Sequence, residues 1–152
     1  MIDKALAAFL EEGIAIQLGT RNAHLEPNGV RVAAVKVEDD GSHVVAYVPK
    51  MAVTQVLPDL ESNGQAALVF ARPSDDRACQ VKGVFVDSRA ATSKERALVT
   101  AQWSGFLRYL EIIGLPRAAV ESWTNWPCVA IRIRVTALFS QTPGPGAGAP
   151  LG

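Results

Sequence analysis

The side chains best suited to chemistry in this chain are a few cations. Arg31 and Lys50 bracket the stretch VRVAAVKVEDDGSHVVAYVPK, residues 30–50. Its apolar residues alternate on both sides of Asp40-Gly41, and this predicts a β-hairpin turned at that dipeptide. With those two residues as the loop, Arg31 faces Lys50, Ala33 faces Val48, Val35 faces Ala46 and Val37 faces Val44. One face is then apolar, with two like charges opposed at its open end. Such charges repel unless something negative lies between them. A phosphate or carboxylate held by Arg31 and Lys50 is the chemistry this implies. Lys50 and Thr54 also open a helical turn, whose free backbone N–H groups favour an anion.

Other candidates are weaker. Gln80 and Lys82 share one face of a later strand, where they can bond the polar edge of a ring system or face water. Arg132 and Arg134 alternate with apolar residues in the last strand. Trp123 and Trp126 lie just before Pro127, placed either to stack on a planar ligand or to cover the end of the fold. His24 and His43 are isolated at turns with no partner at metal-ligand or triad spacing. Cys79 and Cys128 form no CxxC pair and read as buried free thiols. No HExxH, GxSxG, Walker or Rossmann pattern is present.

The elements that must position these residues follow from periodicity. Ile2, Leu6, Phe9 and Leu10 share one side of a short helix, with Asp3 as its N-cap and Gly13 as its stop. Residues 14–20 read as a strand and residues 21–29 as a turn into the hairpin. Residues 51–63 read as two helical turns broken at Pro58 and stopped by Asn63-Gly64. Residues 65–72 and 77–88 form a second hairpin, and Gly83 marks a bulge or a close approach. Thr92-Ser93-Lys94-Glu95 fits a capping box that opens the longest helix, to about Ile113. Val99, Trp103, Phe106, Leu110 and Ile113 predict its buried stripe. Residues 128–139 form the last strand. The tail QTPGPGAGAPLG is too rich in Pro and Gly to pack a core. Gln141 to Gly144 are expected to be ordered, and the rest not.

With 152 residues and a formal net charge of zero, the chain is long enough for one core but has no field to draw nucleic acid or an anionic membrane. No stretch reads as a signal peptide or a bilayer span, so a cytoplasmic location is expected. At least six antiparallel strands with peripheral helices predict an α+β, mainly β barrel, which removes exposed edges. Residues 1–139 would be the domain and residues 140–152 a tail.

This order of elements, with the hairpin residues, resembles the FMN-binding split β-barrels related to pyridoxamine 5′-phosphate oxidase. Arg31-Val-Ala-Ala-Val-Lys36 matches the family's Arg-x-x-x-x-Lys, and Arg77 to Gly83 looks like its Arg-x-x-x-x-x-Gly segment. The resemblance covers residues 2–139. It implies a homodimer with FMN at the subunit interface and redox chemistry on a small molecule. The cofactor residues would be Arg31, Lys36, Lys50, Thr54, Gln80, Lys82 and Trp126. Arg31 and Lys36 point to opposite faces of a regular strand, so both touch one flavin only if it wraps the edge or a bulge intervenes. The family's Ser-Arg-Lys segment is reduced here to Lys50 and Thr54, Ala78 stands where it has a flavin-contacting Gln, and its C-terminal Trp and Arg-x-His-x-Arg ending is missing. Oxidation of vitamin B6 is therefore not expected. A flavin carrier or sensor, or a split barrel for haem or coenzyme F420, are the alternatives.

Overall fold

The computed structural model describes residues 1–152. Helix α1 (Lys4–Leu10) starts at Asp3, whose carboxylate accepts from the Leu6 amide at 2.7 Å. Gly13, at φ 86°, turns the chain into β1 (Ala15–Arg21). Then come β2 (Pro27–Arg31), β3 (Ala34–Val37) and β4 (His43–Pro49). Two short helices follow, α2 (Lys50–Val53) and α3 (Leu57–Asn63), with Pro58 in the first turn of α3, where a missing N–H costs nothing. Gly64 ends α3 at φ 72° and leads to β5 (Gln65–Ala71) and β6 (Ala78–Ala90). Helix α4 (Glu95–Ile112), a 3₁₀ turn (Arg117–Val120) and β7 (Cys128–Ser140) complete the order.

The strands pair antiparallel in the order β2-β1-β5-β6-β7-β4-β3. The two strands at the ends of that order are consecutive in the chain. Val32 donates its amide to Ile16 of β1, and Ala33 donates its amide to Tyr47 of β4. Adjacent amides thus serve opposite edges of the sheet, and this bend closes it into a barrel. Leu18, Leu68, Phe70, Val81, Ile131 and Ile133 fill the interior. Full burial of each such side chain contributes roughly 1.5–3 kcal/mol.

The second half of the predicted hairpin register holds, with Val35 opposite Ala46 and Val37 opposite Val44. Its open end does not. Arg31 pairs with Gln17 on β1, and Lys50 begins α2, so the two cations are not opposed. The bend at Val32-Ala33 divides the outgoing strand in two and makes seven strands where six were expected.

Gly83 carries both features expected of it. The β6–β7 register shifts there, and a Cβ at Gly83 would meet Ile133 Cγ2 at 2.4 Å and Arg134 O at 2.5 Å. Only half of the capping box forms. Glu95 accepts from the Thr92 amide at 2.7 Å, and the helix starts at Glu95 itself.

Two expectations are corrected. The line buried on α4 is Val99, Gln102, Gly105 and Leu110, with Trp103 partly buried and Ile113 exposed. Gln102 is buried because its amide bonds both backbone groups of Val35, Oε1 accepting at 3.0 Å and Nε2 donating at 2.7 Å, along the edge that β3 leaves open. The tail also folds back. Leu151 donates its amide to Leu138, Ser140 and Ala149 bond through their backbones, and the Leu151 side chain packs against the core. Backbone pairing to β7 supplies the order that the composition of the tail does not suggest.

Candidate functional site

Side chains alternate along each strand, so residues opposed across the sheet form rows on its outer face. One row runs Gly29, Gly19, Ala67, Lys82, Ala137 across β2, β1, β5, β6 and β7. The next runs Arg31, Gln17, Val69, Gln80, Phe139. The first row is a floor of small residues with one long cation standing in it. The second offers amide side chains beside apolar surface.

The small residues open a groove of about 570 Å³, within the size range of cofactor pockets. Gly19, Arg21, Gln65, Ala67, Lys82 and Thr136 line it, and none of its lining residues is an Asp or Glu. Arg21 donates through Nε to Gln65 Oε1 at 3.1 Å and through Nη1 to Asn22 O at 3.3 Å, which places the guanidinium at the rim. Lys82 is exposed, with Nζ 5.1 Å from the centre of the Phe139 ring. At the β1–β2 end, buried Asp59 accepts from Thr20 Oγ1 and Asn28 Nδ2, both at 2.8 Å, and so ties α3 to the strands that form the rim. Two cations without a carboxylate favour an anion, and a flat floor favours a planar body.

Of the residues singled out in the sequence, Arg31, Gln80 and Lys82 share this face. Arg31 lies at its far edge, three strand spacings from Gln80, or roughly 14 Å. Its guanidinium lies over both Trp103 and Trp123, 5.3 and 5.1 Å from the ring centres, and Nη2 donates to Thr124 O at 3.1 Å and Asn125 Oδ1 at 2.7 Å. No carboxylate balances it, and burial pulls its pKa below the ordinary arginine value.

The other four lie elsewhere. Lys36, on the edge strand β3, pairs with Glu11 at 3.1 Å. Lys50 and Thr54 are exposed at α2. Trp126 packs, partly buried, against the small cluster that contains Ala33, Tyr47 and Val99, with Arg96 5.8 Å from its ring. Sequence reasoning missed Arg21 and Gln17. His43 lies close to Glu38 and Asp40, but Arg132 takes both oxygens of Glu38, at 2.7 and 3.0 Å. Both cysteines are free and buried, and burial pushes each thiol up to about 11.

No protein-family model matches the chain, and no curated protein matches it in sequence. Solved structures do match in shape. An F420 reductase is 18% identical, with a TM-score of 0.58, covering 86% of this chain and 93% of its own. An FMN-binding protein from Syntrophomonas wolfei is 9% identical, with a TM-score of 0.57 and coverages of 88% and 82%. A Lactobacillus delbrueckii protein assigned as a pyridoxamine 5′-phosphate oxidase is 12% identical, with a TM-score of 0.53 and coverages of 88% and 89%.

The chain has the pyridoxamine 5′-phosphate oxidase-like split-barrel fold. In this split barrel the closing bend at Val32-Ala33 sets Arg31 on the same outer face as Gln80 and Lys82, while Lys36 follows the bend onto another edge. No helix is long and apolar enough to cross a membrane.

Proposed function

We propose that this split barrel is a flavoprotein that holds FMN on the outer sheet face and uses it in electron transfer with a small molecule. The observation that carries the reading is the groove, which is flat-floored, rimmed by Arg21 and Lys82 and free of acidic side chains. FMN combines a planar ring with a dianionic phosphate; the groove offers a place for the phosphate, and the neighbouring row of side chains offers a surface for the ring. Arg21, Lys82 and the Thr136 hydroxyl would take the phosphate through charge-assisted hydrogen bonds. Gln17 and Gln80 would bond the polar edge of the ring, which would lie along the row they share with Val69 and Phe139. Bound FMN supplies the redox chemistry. The chain positions it and keeps water from one of its faces. The shared fold of an FMN-binding protein and an F420 reductase supports a flavin-type ligand.

A second copy of the chain would cover the ring. Val69 is exposed in the row proposed for the ring, and the exposed Val84 and Val86 continue the same face along β6 beyond Lys82. A homodimer formed through this face would bury them and enclose the cofactor at the interface. The purified protein should be yellow or become so with FMN, quench FMN fluorescence at micromolar concentration, and sediment as a dimer. A colourless monomer that leaves FMN fluorescence unchanged would refute the proposal. Steady turnover with NADH or NADPH would mark an enzyme, and tight binding without turnover a carrier.

A further inference from the structure

Arg31 borders a second, smaller cavity of about 90 Å³. Its walls are Ile14, Ile16, Val32, Trp103, Phe106 and Trp123, with Gln17 at the edge that it shares with the sheet face. The three aromatic rings form one cluster, with centroids 5.6 to 6.2 Å apart. None of the residues lining this cavity is acidic, and Arg31 takes part in no ion pair. Its hydrogen bonds to Thr124 and Asn125 both leave from Nη2, so Nε and Nη1 bond no protein atom and stay open to solvent or a ligand. The result is a half-buried cation with no counter-ion at the mouth of an apolar, aromatic-walled cavity.

The geometry points to a binding site for a short-chain carboxylic acid. The carboxylate accepts from the free donors of Arg31, and the apolar body lies against Phe106, Ile14 and the Trp rings. The cavity, at about 90 Å³, is small beside the groove of about 570 Å³ on the sheet face, so it suits a short acid better than a long-chain one. The site does not depend on bound flavin. If the flavin lies where it is proposed above, Gln17 separates the two sites, and the acid would be the small molecule beside the ring.

The test uses the full chain without added flavin. Butyrate, the neutral isostere butyramide, and inorganic phosphate are each titrated while the fluorescence of Trp103 and Trp123 is followed. Butyrate should give a saturable change and bind at least tenfold more tightly than butyramide or phosphate. Arg31→Gln should remove that preference while far-UV circular dichroism stays unchanged. Because Arg31 also holds the loop at Thr124, a second variant leaves it in place. Ala15→Leu fills the cavity from β1, and it should abolish butyrate binding in a folded protein. Equal binding of butyrate and butyramide, phosphate binding as tight as butyrate, no saturable change, or butyrate binding that survives Ala15→Leu would each overturn the assignment. FMN titration of the same samples is read separately, so failure of the flavin reading is distinguishable from failure of this one.

Discussion

Lys82 stands directly opposite Ala67 across the β5–β6 pairing, on the outer face of the barrel. The methyl group leaves the floor of the groove open, and the ammonium gives its rim a charge. Small residues at Gly19 and Ala137 continue that floor on either side. If this pairing makes the cofactor site, Ala67→Leu should reduce FMN affinity by tenfold or more without lowering the melting temperature, because the added atoms enter the groove and not the core. Flavin fluorescence quenching and a thermal melt on the same protein check both halves of the statement.

Gly83 is held by close approach. A methyl group there would lie 2.4 Å from Ile133 Cγ2 and 2.5 Å from a backbone carbonyl that cannot swing away. Gly83→Ala should destabilise the fold by about 1–3 kcal/mol, the usual cost of overpacking, as read from urea denaturation.

Gln102 works as a substitute strand. It donates to Val35 O and accepts from Val35 N in a buried setting on the open edge of β3. Gln102→Leu keeps the bulk and leaves both backbone groups unpaired, at about 1–3 kcal/mol for each. The variant should unfold at clearly lower urea concentration than wild type, and amide exchange at Val35 should speed up before that of the barrel interior.

Glu95 ties β4 and β6 to the start of α4. It accepts from Arg89 at 2.7 and 2.9 Å, from the Thr92 amide and from Tyr47 Oη at 2.9 Å. The Arg89 bonds in particular hold its carboxyl well down, at about 2 against an ordinary 4.5. A carboxylate whose folded pKa is depressed stabilises the fold above its unfolded pKa, and that contribution fades as pH falls towards the folded value. Stability should therefore drop between about pH 4.5 and pH 2, and Glu95→Gln should show a shallower drop. Urea midpoints measured across that range decide it.

The local parts of this fold were legible in the sequence, and the long-range parts were not. The Asp40-Gly41 turn and the alternation beside it specify the pairing of Val35 with Ala46, because both signals lie within a few residues of the contact. Val32-Ala33 looks like more strand, since nothing in two apolar residues marks a change of partner from β1 to β4. That unseen bend is why Arg31 and Lys50 were expected to share an anion. Arg21 opens the stretch 21–29 that reads as a turn, so nothing local marks it, although β1 extends to include it and sheet order brings it beside Gln65 and the groove. Gln102 was passed over because a helical stripe is normally read from large apolar residues, whereas this helix docks through an amide and a glycine. A Cβ on that glycine, Gly105, would meet Glu12 O at 2.8 Å.

The central claim is that the groove between Arg21 and Lys82 holds the FMN phosphate. Parallel titration of the protein with FMN and with riboflavin, which lacks only the phosphate, tests it most directly. FMN should bind about ten- to a hundredfold more tightly than riboflavin, the range expected for a charge-assisted hydrogen bond, and the Arg21→Ala/Lys82→Ala double variant should erase that difference. Equal affinity for the two flavins in the wild-type protein, or an FMN preference that survives the double variant, would contradict it.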